Sequence, residues 1–421
     1  MTAASKLRAI AFALLPGPWC PFLMAVGFRA AAVLSLLLFV EGHVLGLAPA
    51  MLRSFSFWTV VLSIGASVLR QILPGSPAGP TPDMAVASVT GTLWAEAVSW
   101  AACSMRGWRP AMEDAHVVGM LEPSVFSDVA LFAVLDGHGG KEVSELAASL
   151  LLDEVKECGR ERQRGDAQPG ASCLAEALEK ALPRLDARLR AGCWGLGRML
   201  PTLLHPFASC GSTACVAAVD LVNREVLVSN IGDSRAILIQ NGRAVALSED
   251  HKPENLKEKR RIRAAGGQVV RVGPCHRVDG NLNLSRAFGD FHLKANAALP
   301  PEEQKVIAFP DVTRTPFRGG PQELLVVACD GLFERCSNQD IADIIWPRLK
   351  SGMPLESIGR ELLHACCARS VRGRPIEDGT DNETVILVKL PLPSNGGNDT
   401  AVQTSNGKDG AHEGLHEASA R

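Results

Sequence analysis

Two apolar runs frame this 421-residue chain, and both stop at the same dipeptide. Leu131-Phe-Ala-Val-Leu135 leads into Asp136-Gly137-His138-Gly139-Gly140, and Leu324-Leu-Val-Val-Ala-Cys329 leads into Asp330-Gly331. Five or six apolar residues without helical period predict strands covered on both faces, and the glycines behind them predict a turn. One Asp-Gly after a strand is an ordinary turn. Its repetition suggests two carboxylates delivered to one place.

Elsewhere the pattern is helical or alternating. Val143, Leu146, Ala147, Leu150, Leu151 and Val155 recur at helical spacing and predict a helix over 141–158. Further helices are predicted over 171–189, 254–265, 338–349 and 354–369. Short runs at 211–220, 225–230, 236–239, 243–247, 281–284 and 385–388 read as strands, with Asn241-Gly242 a strong hairpin signal. Consecutive short strands joined by tight turns pair antiparallel. Residues 191–209, rich in glycine and proline, read as an irregular insertion, and 291–310 as a proline-interrupted excursion able to form a flap.

Composition changes this picture at both ends. Before Asp83 the chain has one acidic residue, Glu41, while Lys6, Arg8, Arg29, Arg53 and Arg70 punctuate apolar blocks at 9–27, 30–52 and 54–69. A membrane-spanning helix needs roughly 20 apolar residues. Pro16, Pro18 and Pro21 interrupt the first block, and Glu41 and His43 the second. An apolar, membrane-embedded region is therefore expected over 1–70, its number of spans open. The alternative is an organelle-targeting presequence, since such segments are also acid-poor and Arg-rich. Three successive blocks exceed what one signal requires. Pro74, Pro77, Pro80 and Pro82 make 71–92 a linker, 93–392 the globular domain, and 393–421 a disordered polar tail.

A formal charge of −2 provides no electrostatic footprint for nucleic acid. Twelve cysteines include no C-x-x-C pair, so neither a zinc site nor a disulfide set is signalled. Reduced thiols in a cytosol-like compartment fit better.

The acidic residues carry the chemistry. Besides Asp136 and Asp330, Asp381 opens the closing strand, Asp233 lies in a turn between strands, and Glu113-Asp114 follows Gly107-Trp108-Arg109-Pro110. In an extended segment Glu113 and Asp114 point to opposite faces, so one faces an ion and the other acts from behind. Hard oxygen ligands without a His or Cys cluster select Mg2+ or Mn2+. Two such ions roughly 4 Å apart activate water and clamp an in-line displacement at phosphorus. Arg109 suits a bidentate hold on phosphate, and His138 protonation of the leaving group.

These segments together resemble the metal-dependent serine/threonine protein phosphatases of type 2C, the PPM family. The resemblance covers about 100–391. It rests on Gly107-Trp108-Arg109, Met112-Glu113-Asp114-Ala115-His116, Asp136-Gly137-His138-Gly139-Gly140, Gly211-Ser212-Thr213-Ala214, Gly232-Asp233-Ser234-Arg235, Asp250-His251-Lys252-Pro253, Leu284-Ser285-Arg286-Ala287-Phe288-Gly289-Asp290, Asp330-Gly331 and Asp381-Asn382, in that order. It implies an α+β fold, a four-layer α-β-β-α sandwich of two antiparallel sheets flanked by helices. It also implies a binuclear Mg2+ or Mn2+ site, with Asp136 bridging, the Gly137 carbonyl, Asp330 and Asp381 completing the shell, and Glu113 acting through water. Asp114 is then expected to orient that water, Arg109 to hold phosphate and His138 to act as general acid. A weaker third ion is expected near Asp233 and Asp330. Glu334 stands where the family pattern Asp-Gly-x-x-Asp ends in aspartate, which bears on that third ion.

Phosphorylated proteins are the implied substrates of a monomeric catalytic domain. Two rivals fit less well. Cys366 to Arg372 has the spacing of thiol phosphatases but no internal glycine to curl around phosphate, and its cysteines suit a helix face. A membrane-tethered pseudophosphatase that binds phosphoproteins without turning them over would lack a ligand carboxylate, and none of the primary set is missing. The sequons at Asn283 and Asn382 fall inside the expected site, a reason to expect the domain on the cytosolic face.

Overall fold

The computed structural model describes residues 81–94, 98–164, 171–192, 207–321, 323–371 and 374–392. Residues 1–70, the tail 393–421 and residues 193–206 of the expected insertion lie outside them. Among the described residues no helix is long and apolar enough to cross a membrane. The described residues 82–369 and 375–392 belong to one compact unit.

In chain order the strands and helices are β1 (Asp83–Leu93), β2 (Val98–Gly107), β3 (Ala115–Met120), β4 (Val129–Leu135), β5 (Gly137–His138), α1 (Glu142–Arg164) and α2 (Ala171–Gly192). Then come β6 (Gly211–Ser212), β7 (Ala214–Asp220), β8 (Glu225–Ile231), β9 (Arg235–Gln240), β10 (Arg243–Ala246), α3 (Leu256–Ala264), β11 (Val269–Val272), β12 (Cys275–Val278) and β13 (Phe288–Gly289). The chain closes with β14 (Asp311–Pro316), β15 (Glu323–Ala328), α4 (Asn338–Lys350), α5 (Leu355–Cys366), β16 (Ser370–Val371), β17 (Arg374–Pro375) and β18 (Glu383–Lys389).

Two antiparallel sheets carry the unit. One has the order β1-β2-β18-β15-β9-β10 and the other β14-β8-β7-β4-β3. Strand β4 shows why they stack. Every residue of it is buried, and because side chains alternate, Ala130, Phe132 and Val134 enter the core between the sheets while Val129, Leu131, Ala133 and Leu135 enter the core beneath α1 and α2. Helices α4 and α5 cover the outer face of the first sheet. The result is the expected α-β-β-α order of layers. Both apolar runs are central strands, and their acidic ends emerge at the same edge of the sandwich.

Two expectations change. The linker expected over 71–92 overlaps β1, which pairs with β2 from Asp83↔Gly107 to Leu93↔Val98. This edge strand is largely exposed, so it lacks the apolar signature of a core strand. The excursion at 291–310 is packed down: Phe291, Leu293, Val306 and Ile307 are buried, and Lys294 pairs with Asp186 of α2 at 2.8 Å. The cysteines of the 366–372 stretch end a helix, with Cys366 fully buried, as their helix-face pattern suggests.

Candidate active site

Asp136 leaves β4 with its backbone fixed on both sides. Its N–H donates to Thr213 Oγ1 at 3.0 Å and its carbonyl accepts from Thr213 N–H at 2.9 Å. Asp330 leaves β15 at the same level and opens a single 3-10 turn. The glycines behind these aspartates serve close packing, since neither has positive φ. A Cβ on Gly137 would lie 2.3 Å from the Glu113 carbonyl oxygen, and one on Gly331 would lie 2.1 Å from the Asn382 carbonyl oxygen. Absent side chains therefore let the Glu113 and Asp381-Asn382 segments close on the strand ends.

The carboxylates do converge. Ligand oxygens of Asp136, Asp233 and Asp330 lie within 4.8 Å of one another, as do Asp114, Asp136 and the Cys329 sulfur. Asp136 belongs to both groups. Burial, then the charges of Asp330, Asp114, Asp381 and Asp233, push its carboxyl well above the usual range. Asp330 is raised by burial and by Asp233 and Asp381. Asp114 is raised mainly by burial; Thr384 Oγ1 donates to its Oδ2 at 2.7 Å, while Oδ1 is buried without a hydrogen-bond partner.

Asp381 and Glu113 belong to neither 4.8 Å group. The Asp381 carboxylate forms an ion pair with Arg109 and accepts its neighbour Asn382 N–H at 2.7 Å. Its charge still reaches Asp136, Asp330 and Asp114. Arg109 is thus engaged with Asp381, its side chain half exposed at the rim. Asp233 is paired with Lys252, whose ammonium is pushed down by burial but raised on balance by Asp233. Glu334 turns away to accept the N–H groups of Gly379 and Thr380, both at 2.9 Å.

Two positioning residues escaped the sequence reading. Asn382 accepts Glu113 N–H at 2.9 Å and donates to Arg106 O at 2.9 Å and Ala111 O at 3.0 Å, fixing the Arg109 and Glu113 segment. Its amide is buried and committed, so this sequon is closed in the folded chain. Asp290 Oδ2 lies 2.7 Å from His138 Nε2. Burial pushes the imidazole down, but Asp290 outweighs it and holds His138 above its usual value. Asp290 itself adopts a left-handed φ of 48°, pinned because Asp186 accepts the preceding Gly289 N–H at 2.9 Å. Only the fold reveals it, since the partners are 152 residues apart.

The donors fit divalent cations. Asp114, Asp136, Asp233, Asp330 and Asp381 meet two protein cations, Lys252 and Arg109, and leave one buried carboxylate oxygen orphaned. Oxygen donors in this number suit Mg2+ or Mn2+. The sandwich and this pocket together define the class of metal-dependent protein phosphatases. Residues 98–374 match the family model Protein phosphatase 2C, and the chain belongs to that family. It is 34% identical over 296 residues to Protein phosphatase 2C homolog 2 of Saccharomyces cerevisiae, covering 68% of this chain and 57% of that longer protein. It is 36% identical over 306 residues to Probable protein phosphatase 2C 6 of Paramecium tetraurelia, covering 72% and 95%. The crystal structure of a phosphatase from Toxoplasma gondii superposes with a TM-score of 0.57 at 27% identity, over 73% of this chain and 96% of that one.

Proposed function

We propose that this chain hydrolyses phosphoserine and phosphothreonine in proteins, using two Mg2+ or Mn2+ ions held around Asp136. The observation that carries the reading is the meeting of Asp136, Asp233 and Asp330 within 4.8 Å, with Asp114 and Cys329 forming a second such group around Asp136. When bound, divalent cations supply a water acidic enough to ionise near neutral pH and offset charge on the phosphoryl oxygens.

The chain's own groups do the rest. Asp136 and Asp330, with Asp381 and the Gly137 carbonyl, would hold the cations, and Glu113 would do so through water. Asp114, whose buried Oδ1 has no hydrogen-bond partner, would orient that water. Arg109 presents its guanidinium for the phosphate, with Asp381 as its tether. His138 faces Asp290 through Nε2, leaving Nδ1 to donate a proton to the departing serine or threonine oxygen. Lys252, already paired with Asp233, would compete with a third cation there.

The test is turnover of a phosphothreonine peptide by the full chain. Activity is expected with Mn2+ or Mg2+, lost with a chelator and restored by excess metal. Asp136→Asn is expected to lower it by roughly a thousandfold, the scale of losing a principal electrostatic group. Turnover that ignores the chelator, or an undiminished Asp136→Asn, would reject the reading.

A further inference from the structure

Outside the carboxylate pocket, one pair of side chains has reactive chemistry that hydrolysis does not use. Cys336 ends the segment that follows Asp330 and stands immediately before Ser337, the N-cap of α4. Cys366 is the last residue of α5. Their sulfurs are 3.7 Å apart, with the Cys366 thiol donating to Cys336. Cys366 is fully buried, whereas Cys336 is partly exposed.

The two thiols are unlike. The hydrogen bond from Cys366 outweighs burial and holds Cys336 down to about 7. The same bond, then burial, raises Cys366. The thiolate is the nucleophile, so Cys336 is the sulfur that meets an oxidant and Cys366 the one placed to resolve it. An S–S bond is about 2.05 Å long, so the sulfurs must approach by roughly 1.7 Å. The backbones are already clamped: Arg335 donates to the Ala365 and Cys367 carbonyls at 3.1 and 2.9 Å. The same segment reaches the pocket. Phe333 and Glu334 N–H bond to Asp330 O at 2.8 and 3.0 Å, and Glu334 holds the Gly379 and Thr380 amides that lead into Asp381.

We propose that Cys336 and Cys366 form a reversible disulfide on exposure to a hydroperoxide, and that this link, by pulling on the Asp330–Cys336 segment, lowers turnover. In the first step the Cys336 sulfur attacks the peroxide oxygen and the O–O bond breaks. The departing oxygen takes a proton and leaves as water or alcohol, and Cys336 becomes a sulfenic acid. In the second, the Cys366 sulfur attacks the Cys336 sulfur and the S–O bond breaks. The hydroxyl leaves with the Cys366 proton as water. Two thiols are oxidised and one peroxide is reduced; a dithiol reverses the change. The disulfide stands independently of the phosphatase reading, whereas its effect on turnover rests on it.

The full chain is treated with hydrogen peroxide, alkylated, digested and mapped by mass spectrometry, with turnover followed in parallel. A linked peptide pair joining Cys336 to Cys366 is expected, absent after dithiothreitol and absent in Cys336→Ser. In the reduced chain, iodoacetamide should modify Cys336 at least tenfold faster, roughly the gain in thiolate fraction, than a thiol of ordinary pKa. Turnover should fall in proportion to the linked fraction, return with dithiothreitol, and resist peroxide in Cys336→Ser. Peroxidation of Cys336 to sulfinic acid with Cys366 still alkylatable overturns the disulfide. Equal loss of turnover in Cys336→Ser and the parent chain overturns the regulatory effect. If the reduced chain shows no turnover with any metal, the phosphatase reading fails while the linked peptide still decides the disulfide.

Discussion

Two of the charge clusters among the described residues are built on opposite principles. Around Glu258 the acids are matched by the protein itself. Arg286 pairs with Glu258 at 2.8 Å and with Asp311 at 3.0 Å, Arg261 with Glu258 at 2.6 Å, and Ser285 Oγ donates to Glu258 at 2.7 Å. Burial pushes Glu258 up, but Arg286 and Arg261 outweigh it and hold the carboxyl down to about 2. Around Asp136 the carboxylates are partly buried, except the fully buried Asp233, yet their neighbours are acids and the Asp136 and Asp330 carboxyls are driven up. A buried charge without a partner is costly. One cluster is therefore complete as folded, and the other keeps more acid than the Arg109 and Lys252 it pairs with can match.

The sharpest way to break this comparison is to remove one charge from each cluster. Arg286→Met should cost about 3–5 kcal/mol in urea unfolding, because it leaves Glu258 and Asp311 short of their main partner. Asp330→Asn, measured in chelator, should leave the midpoint unchanged or higher, since it relieves repulsion. Equal losses from the two substitutions would erase the distinction.

A smaller effect lies in pH. Glu258 has a folded pKa below its unfolded value, so its contribution is full above about pH 4.5 and is lost as pH falls toward about 2. A shift of this size corresponds to about 3 kcal/mol. The stability gap between the parent chain and Glu258→Gln should thus be wide near pH 6 and narrow markedly by about pH 3. A gap that is constant across that window would show that the arginines do not hold the carboxylate as described.

The smallest effect concerns positioning. Asp290→Asn should lower turnover of a phosphoserine peptide about tenfold, the lower end for loss of an orienting partner, and that of an aryl phosphate much less. His138→Ala on top of it should cost little beyond His138→Ala alone. Additive losses, or equal losses on both substrates, would separate Asp290 from the proton donor.

Much of the site was legible before any coordinates. Asp136 and Asp330 announced themselves because an apolar run cut off by an acid has few explanations, and both sit where that pattern puts them. Their glycines were read as turn formers, yet they act by letting Glu113 and Asp381-Asn382 approach. Spacing along the chain carries no information on such contacts. Glu258 was unremarkable in a charged helix, and its burial against Arg286 appears only when α3 packs on the segment after β12. Strand β1 was hidden by exposure, because a mostly solvated edge strand lacks apolar alternation.

By itself the sequence determined which residues are buried in strands and helices, and which acids stand at the ends of apolar runs, because periodicity and burial are local properties of side chains. Tertiary structure alone decided that Asp381 is tied to Arg109, that Lys252 shares Asp233, that Asp290 backs His138 and that Cys336 meets Cys366. Each of those pairs joins segments whose proximity depends on how the two sheets stack and where the loops close, and a charge or a thiol takes its properties from the partner it meets there.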